Sequence, residues 1–476
     1  MKSKNKFGRL AIISCLCFIL TASPKLVSAS HNAGGALTYT HLSGNNYRFH
    51  AIYYRDCQGI PAPGSMNLVI SSVSCNVNQI YTMIPLPGTG IEINLPCMGV
   101  STDCTGGTAP GMQKWEYEVD VALPGQCPDW LFYFTDCCRN VAITTAQNPG
   151  SETLYVEAHL NNYNGENSSP QFTNDPLIFA CMNQDFHYNN GMFDADGDSL
   201  VYNLICARSA PNTCVFYYPP HSAQQPFLSA PPITLDYFTG DYFMHPTAQE
   251  VGLVVYEVSD YRNGELMGSV MRDVMMYTIP CSNQNPAATH MNGTAQQIAY
   301  VFPNDTICFD IFSDDTDVLD SLTMTWNQVI PAATFSTAGA PHPTGTFCWI
   351  PSLNDVRSNP YMFTSMIRDN FCPLNNAGVY SYYIYVTLDS SLVYLDTKDF
   401  INNSSFSIYP NPSNGIFIVQ SIQQFSQMTI YNSLGECVLK KNFENTIDLS
   451  EQPAGVYFVE LTSQNGTPQI QKLIKE

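Results

Sequence analysis

Short runs in which apolar and polar residues alternate recur along the chain, and each is closed by Gly, Pro, Asn or Ser. Alternation with a period of two over four to eight residues marks a half-buried strand. Tyr47-Arg48-Phe49-His50-Ala51-Ile52-Tyr53-Tyr54 and Trp115-Glu116-Tyr117-Glu118-Val119-Asp120-Val121 are such runs, with Ala36-Leu37-Thr38-Tyr39 and a run around Val69 and Ile70 beside them. Ser43-Gly44-Asn45-Asn46 is typical of the turns between them. Later, Leu253–Val258, Val274–Ile279 and Tyr380–Leu388 read as more apolar strands. The pattern predicts an all-β chain of tandem β-sandwich domains, immunoglobulin-like or cadherin-like, followed by a small C-terminal β-sandwich.

Turns and shifts in composition divide the 476 residues into three or four domains. Residues 1–29 read as a signal peptide, 30–166 as a cysteine-rich N-terminal sandwich, and 167–282 and 283–392 as two further sandwiches. Residues 393–405 read as a polar linker and 406–476 as the C-terminal module. The second and third sandwiches look like diverged copies. DDTDVLDSLTMTW parallels FDADGDSLVYNL, and Met366-Ile367-Arg368-Asp369-Asn370 parallels Val258-Ser259-Asp260-Tyr261-Arg262.

A basic stretch from Lys2 to Arg9, an apolar stretch from Leu10 to Leu20 and the small-residue site Val27-Ser28-Ala29 make up the predicted signal peptide. The apolar stretch is short for a bilayer span and no other run approaches it, so no transmembrane segment is expected in the mature chain. Charge sharpens the picture: 19 Lys and Arg face 40 Asp and Glu. Five of the basic residues precede Ser30, which leaves 14 against 40 and a formal charge of −26 on the mature chain. Such a surface repels nucleic acid and anionic membrane.

Export gives meaning to the 17 cysteines. Setting aside Cys15, Cys17 and the solitary Cys437, fourteen remain, enough for seven bridges. No Cys-x-x-Cys occurs, which argues against zinc ribbons and thioredoxin chemistry. Adjacent Cys137 and Cys138, if on one strand, point to opposite faces and reach different partners; a redox-active vicinal pair is the alternative.

The C-terminal module has strand-and-turn grammar throughout. Ile416, Ile418 and Val419 follow the turn Pro410-Asn411-Pro412-Ser413-Asn414-Gly415, and Met428, Ile430 and Tyr431 precede the turn Asn432-Ser433-Leu434-Gly435. Val438 and Leu439, then Ile447 and Leu449, then Val456 to Leu461 after Pro453-Ala454-Gly455 complete it. YPNPSNG, IYNSLGECV, LSEQPAGVYFVEL and the basic KLIKE end resemble the type A C-terminal sorting domain of the type IX (Por) secretion system of Bacteroidetes. The resemblance implies a cargo that meets the type IX machinery and is released or held at the outer cell surface. HNAGGALTYTHLSGNNYRFHAIYYRDCQGIP and FTDCCRN resemble the N-terminal part of large surface proteins associated with gliding and adhesion.

The sharpest candidate chemistry is Asp194-Ala195-Asp196-Gly197-Asp198. Carboxylates at alternate positions around a glycine turn their oxygens toward one point, and Ca²⁺ takes six to eight oxygens. No Glu follows at the twelfth position of an EF-hand loop. The loop is instead similar to the D-x-D-G-D-x-L turn of cadherin-like repeats, which implies that a later Asp, here Asp260, completes the site. Asp314, Asp315, Asp317 and Asp320 with Asp369 are the counterpart in the third sandwich, weakened because Val318 or Leu319 replaces Gly197. The plain alternative is a turn held by Asp side chains bonding their own backbone.

Catalytic signatures are absent from the sequence: there is no H-E-x-x-H, no G-x-S-x-G and no P-loop, and the nine histidines are scattered. Tyr217 to Pro232, with five prolines, reads as a long exposed loop and as the better candidate for recognition. A non-enzymatic adhesion or interaction protein of the cell surface is expected, with an unknown surface polysaccharide or protein as ligand and calcium as cofactor. A secreted hydrolase or its accessory module, and a structural surface-layer component, are the alternatives.

Overall fold

The computed structural model describes residues 32–93, 100–372, 375–389, 392, 406–421, 425–432, 437–463 and 468–475. The signal peptide, the linker at 393–405, Cys97 and most of the turn after Asn432 lie outside the described residues. Two compact units, 1–393 and 394–476, divide the chain.

Alternation does its work in the first unit. Tyr47, Phe49, Ala51 and Tyr53 of strand Asn46–Asp56 turn into the core, where aromatic and β-branched side chains hold a pleated surface together. On the other face Arg48 meets Asp120 of the neighbouring strand Met112–Ala122, at 2.7 and 2.9 Å, a cross-strand pair of opposite charge. Starting from strand Glu265–Ile279, the sheet runs through Asn32–Ser43, Asn46–Asp56, Met112–Ala122, Val77–Pro85, Met66–Ser72, Trp130–Asp136 and Leu154–Leu160. Leu160, His159 and Ala158 then pair back onto Gly268, Ser269 and Val270, so eight strands form a closed ring.

That closure corrects the boundary at 166/167. The strand that completes the N-terminal ring belongs to the region assigned to the second sandwich. The cause is one long hairpin, Glu250–Arg262 and Glu265–Ile279, which continues past the ring to pair with Ser199–Leu204. A single hydrophobic core runs from Ala33 to Met276 and takes in Val379 of the third region. Residues 32–282 therefore share one core instead of two.

The third region keeps its own core. Four strands, led by Ile307–Asp314 and Thr344–Trp349, face four others, led by Tyr361–Arg368 and Ala377–Val386. Phe347 and Phe363 stack across the two sheets at 4.4 Å, a spacing typical of aromatic pairs in cores. In the tail a three-stranded and a four-stranded sheet enclose Phe417, Val419, Met428, Ile430, Ile447, Tyr457, Val459 and Leu461. Ile416 and Ile418 of the same run face outward, so the inward phase of that strand is carried by Phe417 and Val419.

Six disulfides are described: 57–104, 75–127, 137–138, 181–281, 206–214 and 308–348. Cys137 and Cys138 bond to each other rather than to two partners. They lie just past the end of strand Trp130–Asp136, where the strand alternation that would separate them no longer applies.

Candidate cation sites and the sorting tail

The strand Glu250–Arg262 carries Asp260 into the interior with no exposed surface. The turn between Met192–Phe193 and Ser199–Leu204 brings Asp194 and Asp198 to it. Gly197 has φ +79°, a left-handed conformation that glycine adopts without strain. Oxygens of Asp194, Asp198 and Asp260 come within 4.8 Å of one another, and all three residues are buried. Asp194 Oδ1 accepts the Asp198 amide at 2.8 Å, and Asp260 Oδ2 accepts the Asn167 carboxamide at 2.6 Å. Asp194 Oδ2 and Asp260 Oδ1 have no partner among the described residues. Burial, and then the neighbouring carboxylates, push Asp260 up to about 7. Burial likewise pushes Asp194 up to about 6.

Asp196 stands outside this trio. It accepts the Ser168 amide at 2.7 Å and lies 3.3 Å from Arg262. Arg262 also forks onto Asp198, with Nε donating at 2.8 Å and Nη2 at 2.7 Å.

The third region repeats the plan. Oxygens of Asp315, Asp320 and Asp369 come within 4.8 Å of one another. Asp369 accepts the Asn283 carboxamide at 2.8 Å, as Asp260 does that of Asn167. Asp317 accepts the Gln284 amide at 2.8 Å, as Asp196 does that of Ser168. Asp315 Oδ1 accepts the Asp317 amide at 2.9 Å. Asp315 Oδ2 and Asp320 Oδ2 are buried and unpartnered among the described residues. Burial pushes Asp369 up to about 6 and raises Asp315. Asp314 is turned away, exposed and 3.6 Å from His342 Nδ1. Val318 and Leu319 form the exposed tip that replaces the glycine turn.

Hard carboxylate oxygens, two of them orphaned in each cluster, are the donors that an oxygen-seeking divalent cation takes, and in the first cluster Arg262 already holds Asp198. The residues that would hold it are Asp194, Asp198 and Asp260 in the first cluster, and Asp315, Asp320 and Asp369 in the second. Sequence reasoning missed Asn167, Asn283 and Arg262. The paired openings Asn167-Ser168-Ser169-Pro170 and Asn283-Gln284-Asn285-Pro286 were the available signal, since each precedes its copy at the same place.

Two further features lie elsewhere in the first unit. Phe216 and Tyr218 project at 73% and 48% exposure from the start of the proline-rich loop. The loop is tied down by Gln147 N to Phe216 O at 2.7 Å, Tyr218 N to Thr145 O at 2.9 Å, and His221 against Glu250 at 2.8 Å. A cavity of about 350 Å³ gathers His187, His290, Asp241 and Tyr380. Burial lowers both histidines below the usual imidazole range. Asp241 Oδ1 accepts Asn189 Nδ2 at 2.8 Å and Ser381 Oγ at 2.7 Å. Histidines that look scattered in sequence are thus brought together by nonlocal pairing.

No curated protein matches the chain. Solved structures of low overall similarity include Dpr2 Ig1-Ig2 in complex with DIP-Theta Ig1-Ig3, at 12% identity and a TM-score of 0.19, covering 46% of this chain and 100% of that one. Mouse clustered PcdhgC3 EC1-3 aligns at 9% identity and a TM-score of 0.16, covering 63% and 99%. The major pilin subunit of Bacillus cereus aligns at 10% identity and a TM-score of 0.19, covering 63% and 92%. Residues 407–476 match the family model of the secretion system C-terminal sorting domain, Por_Secre_tail. Among the described residues no helix is long and apolar enough to cross a membrane. The seven-stranded tail is the sorting domain of the type IX system, and the chain that carries it is a type IX cargo delivered to the cell surface or beyond.

Proposed function

We propose that this cargo is a surface interaction protein, binding a surface polysaccharide or protein through loops held on a scaffold of disulfides and calcium. The observation that carries this reading is the pair Phe216 and Tyr218, exposed on a loop whose backbone is fixed to the body on both sides. Rigid aromatic side chains on a pinned loop give contact area, including faces for sugar rings, at a small entropic cost. A calcium ion held by buried carboxylates would relieve the repulsion that burial imposes on them.

The purified mature chain should be retained on at least one member of a panel of polysaccharides and cell surfaces. The double variant Phe216→Ala with Tyr218→Ala should lose at least tenfold in retention with an unchanged melting temperature. Retention that the double variant leaves intact would move the binding surface elsewhere; none from the folded wild type would count against the reading. The cavity holding His187, His290 and Asp241 favours a second reading, a hydrolase, because an acid and two neutral imidazoles face one concave space. A screen on glycoside and ester substrates separates the two.

A further inference from the structure

The two carboxylate clusters share a plan, and besides the tip of the turn they differ in the residue two positions after the late aspartate. Arg262 lies two positions after Asp260, and Phe371 lies two positions after Asp369. We infer that Arg262 supplies from within the chain the positive charge that balances the first cluster, which is therefore closed to divalent cations, while the second cluster takes calcium. This rests on calcium being an ion of the scaffold and decides where it binds.

Every nitrogen of the Arg262 guanidinium donates a hydrogen bond. Nε and Nη2 bond both oxygens of Asp198, a carboxylate only 4% exposed. Nη2 also donates to Asn167 Oδ1 at 3.0 Å, and Nη1 to the Glu166 carbonyl at 2.8 Å. Asn167 in turn donates to Asp260 at 2.6 Å, so the guanidinium is linked to the buried carboxylate through one carboxamide. A planar fork that matches a carboxylate in two parallel bonds is the strong form of this interaction. A metal ion entering the first cluster would have to take Asp198 from that fork. A second guanidinium covers the turn: Arg357 Nη1 lies 3.3 Å from where a side chain on Gly197 would begin, and Asn359 Nδ2 donates to the Gly197 carbonyl at 2.8 Å.

The second cluster has no such fork. The cations nearest it are Arg368, the chain neighbour of Asp369, and His342, 3.6 Å from Asp314. Where the arginine would stand, Phe371 offers only its backbone N–H, which donates to Asp369 Oδ1 at 3.1 Å. Asp315 is 5% exposed, and its orphaned Oδ2 shares the cluster with the orphaned Oδ2 of Asp320. Three carboxylates turned to one buried point, with no counterpart of Arg262 among them, call for an external cation. The weaker sequence motif therefore marks the metal site, because the stronger one comes with its own counter-ion.

Calorimetric titration of the full mature chain with calcium chloride tests this. The wild type should bind one calcium. Asp320→Asn and Asp369→Asn should each lose it, Asp194→Asn should keep it, and Arg262→Leu should bind two. Should Arg262→Leu be too unstable to titrate, Arg262→Gln melted in chelator and in calcium gives the same answer, as a calcium-dependent rise larger than that of the wild type. No calcium bound by the wild type, loss of its site in Asp194→Asn, or arginine variants that respond no more than the wild type would overturn the inference. Retention on surfaces reads the interaction role separately, so failure here leaves that role standing.

Discussion

Asp260 concentrates the electrostatics of the first unit in one side chain. It has no exposed surface, and burial with the neighbouring carboxylates raises it to about 7, against about 3.9 for an unfolded aspartate. A raised carboxyl stabilises the fold fully below the unfolded value, and that stability is lost as pH rises through the folded one. The loss runs at about 1.4 kcal/mol per pH unit between roughly 4 and 7. Asp194, raised to about 6, adds to it over a narrower window. The protein in chelator should therefore melt several degrees lower at pH 7.5 than at pH 5. Asp260→Asn, which keeps an oxygen for Asn167 and removes the charge, should flatten that slope. If Arg262 closes the first cluster, calcium should leave this part of the slope in place. Thermal melts of both proteins at the two pH values, with and without calcium, measure it.

Elements in this chain are tied by loops of very different length, and the disulfides show it. Cys181–Cys281 spans 100 residues and fastens the short strand Phe179–Cys181 beside the end of the long hairpin. Cys206–Cys214 spans only eight. Chain entropy assigns about 4.7 kcal/mol to closing a 100-residue loop and about 2.5 kcal/mol to an eight-residue one. Replacing both cysteines of the first pair by serine should cost about 2 kcal/mol more in urea melts than the same change in the second. Equal losses would place the stabilisation in local contacts instead. The hairpin itself marks what the sequence could tell. Alternation in Tyr47–Tyr54 and Trp115–Val121 is enough to place strands, and the parallel of Asp260 with Asp369 points to the two regions where carboxylates converge, but not to which of their aspartates, Asp196, Asp314 and Asp317 among them, stand outside. Which strand closes the ring depends on Gly268 lying against Leu160, a pairing across more than a hundred residues that leaves no local trace. Even a methyl at Gly268 would press to 2.7 Å from the His159 carbonyl. Arg262 was invisible for a related reason: spacing shows which carboxylates converge, but not which cation already sits among them.

On the scale of the molecule, folding and delivery are assigned to separate parts. The tail has its own two sheets and its own core of thirteen buried residues. It is a compact unit distinct from residues 1–393. A chain that loses residues 407–476 therefore keeps every described disulfide and the cores of the first unit, because none of them uses the tail. What it loses is the surface that the outer-membrane machinery reads. The truncated protein should fold, form its bridges and accumulate in the periplasm, while the full chain appears on the surface or in the medium. Fractionation with non-reducing gels follows both properties at once. A truncated chain that is oxidised and still found outside the cell would break the link between the tail and export. A truncated chain that is degraded without forming its bridges would show instead that the tail supports the folding of the body, against the independence of the two cores. A point change inside the tail core sharpens the test. Val459→Asp places a charge in the buried core of the tail, a cost of several kcal/mol in a module this small. It should reproduce the periplasmic retention at full length with the melting of the first unit unchanged, which separates loss of the folded sorting surface from loss of mere chain length.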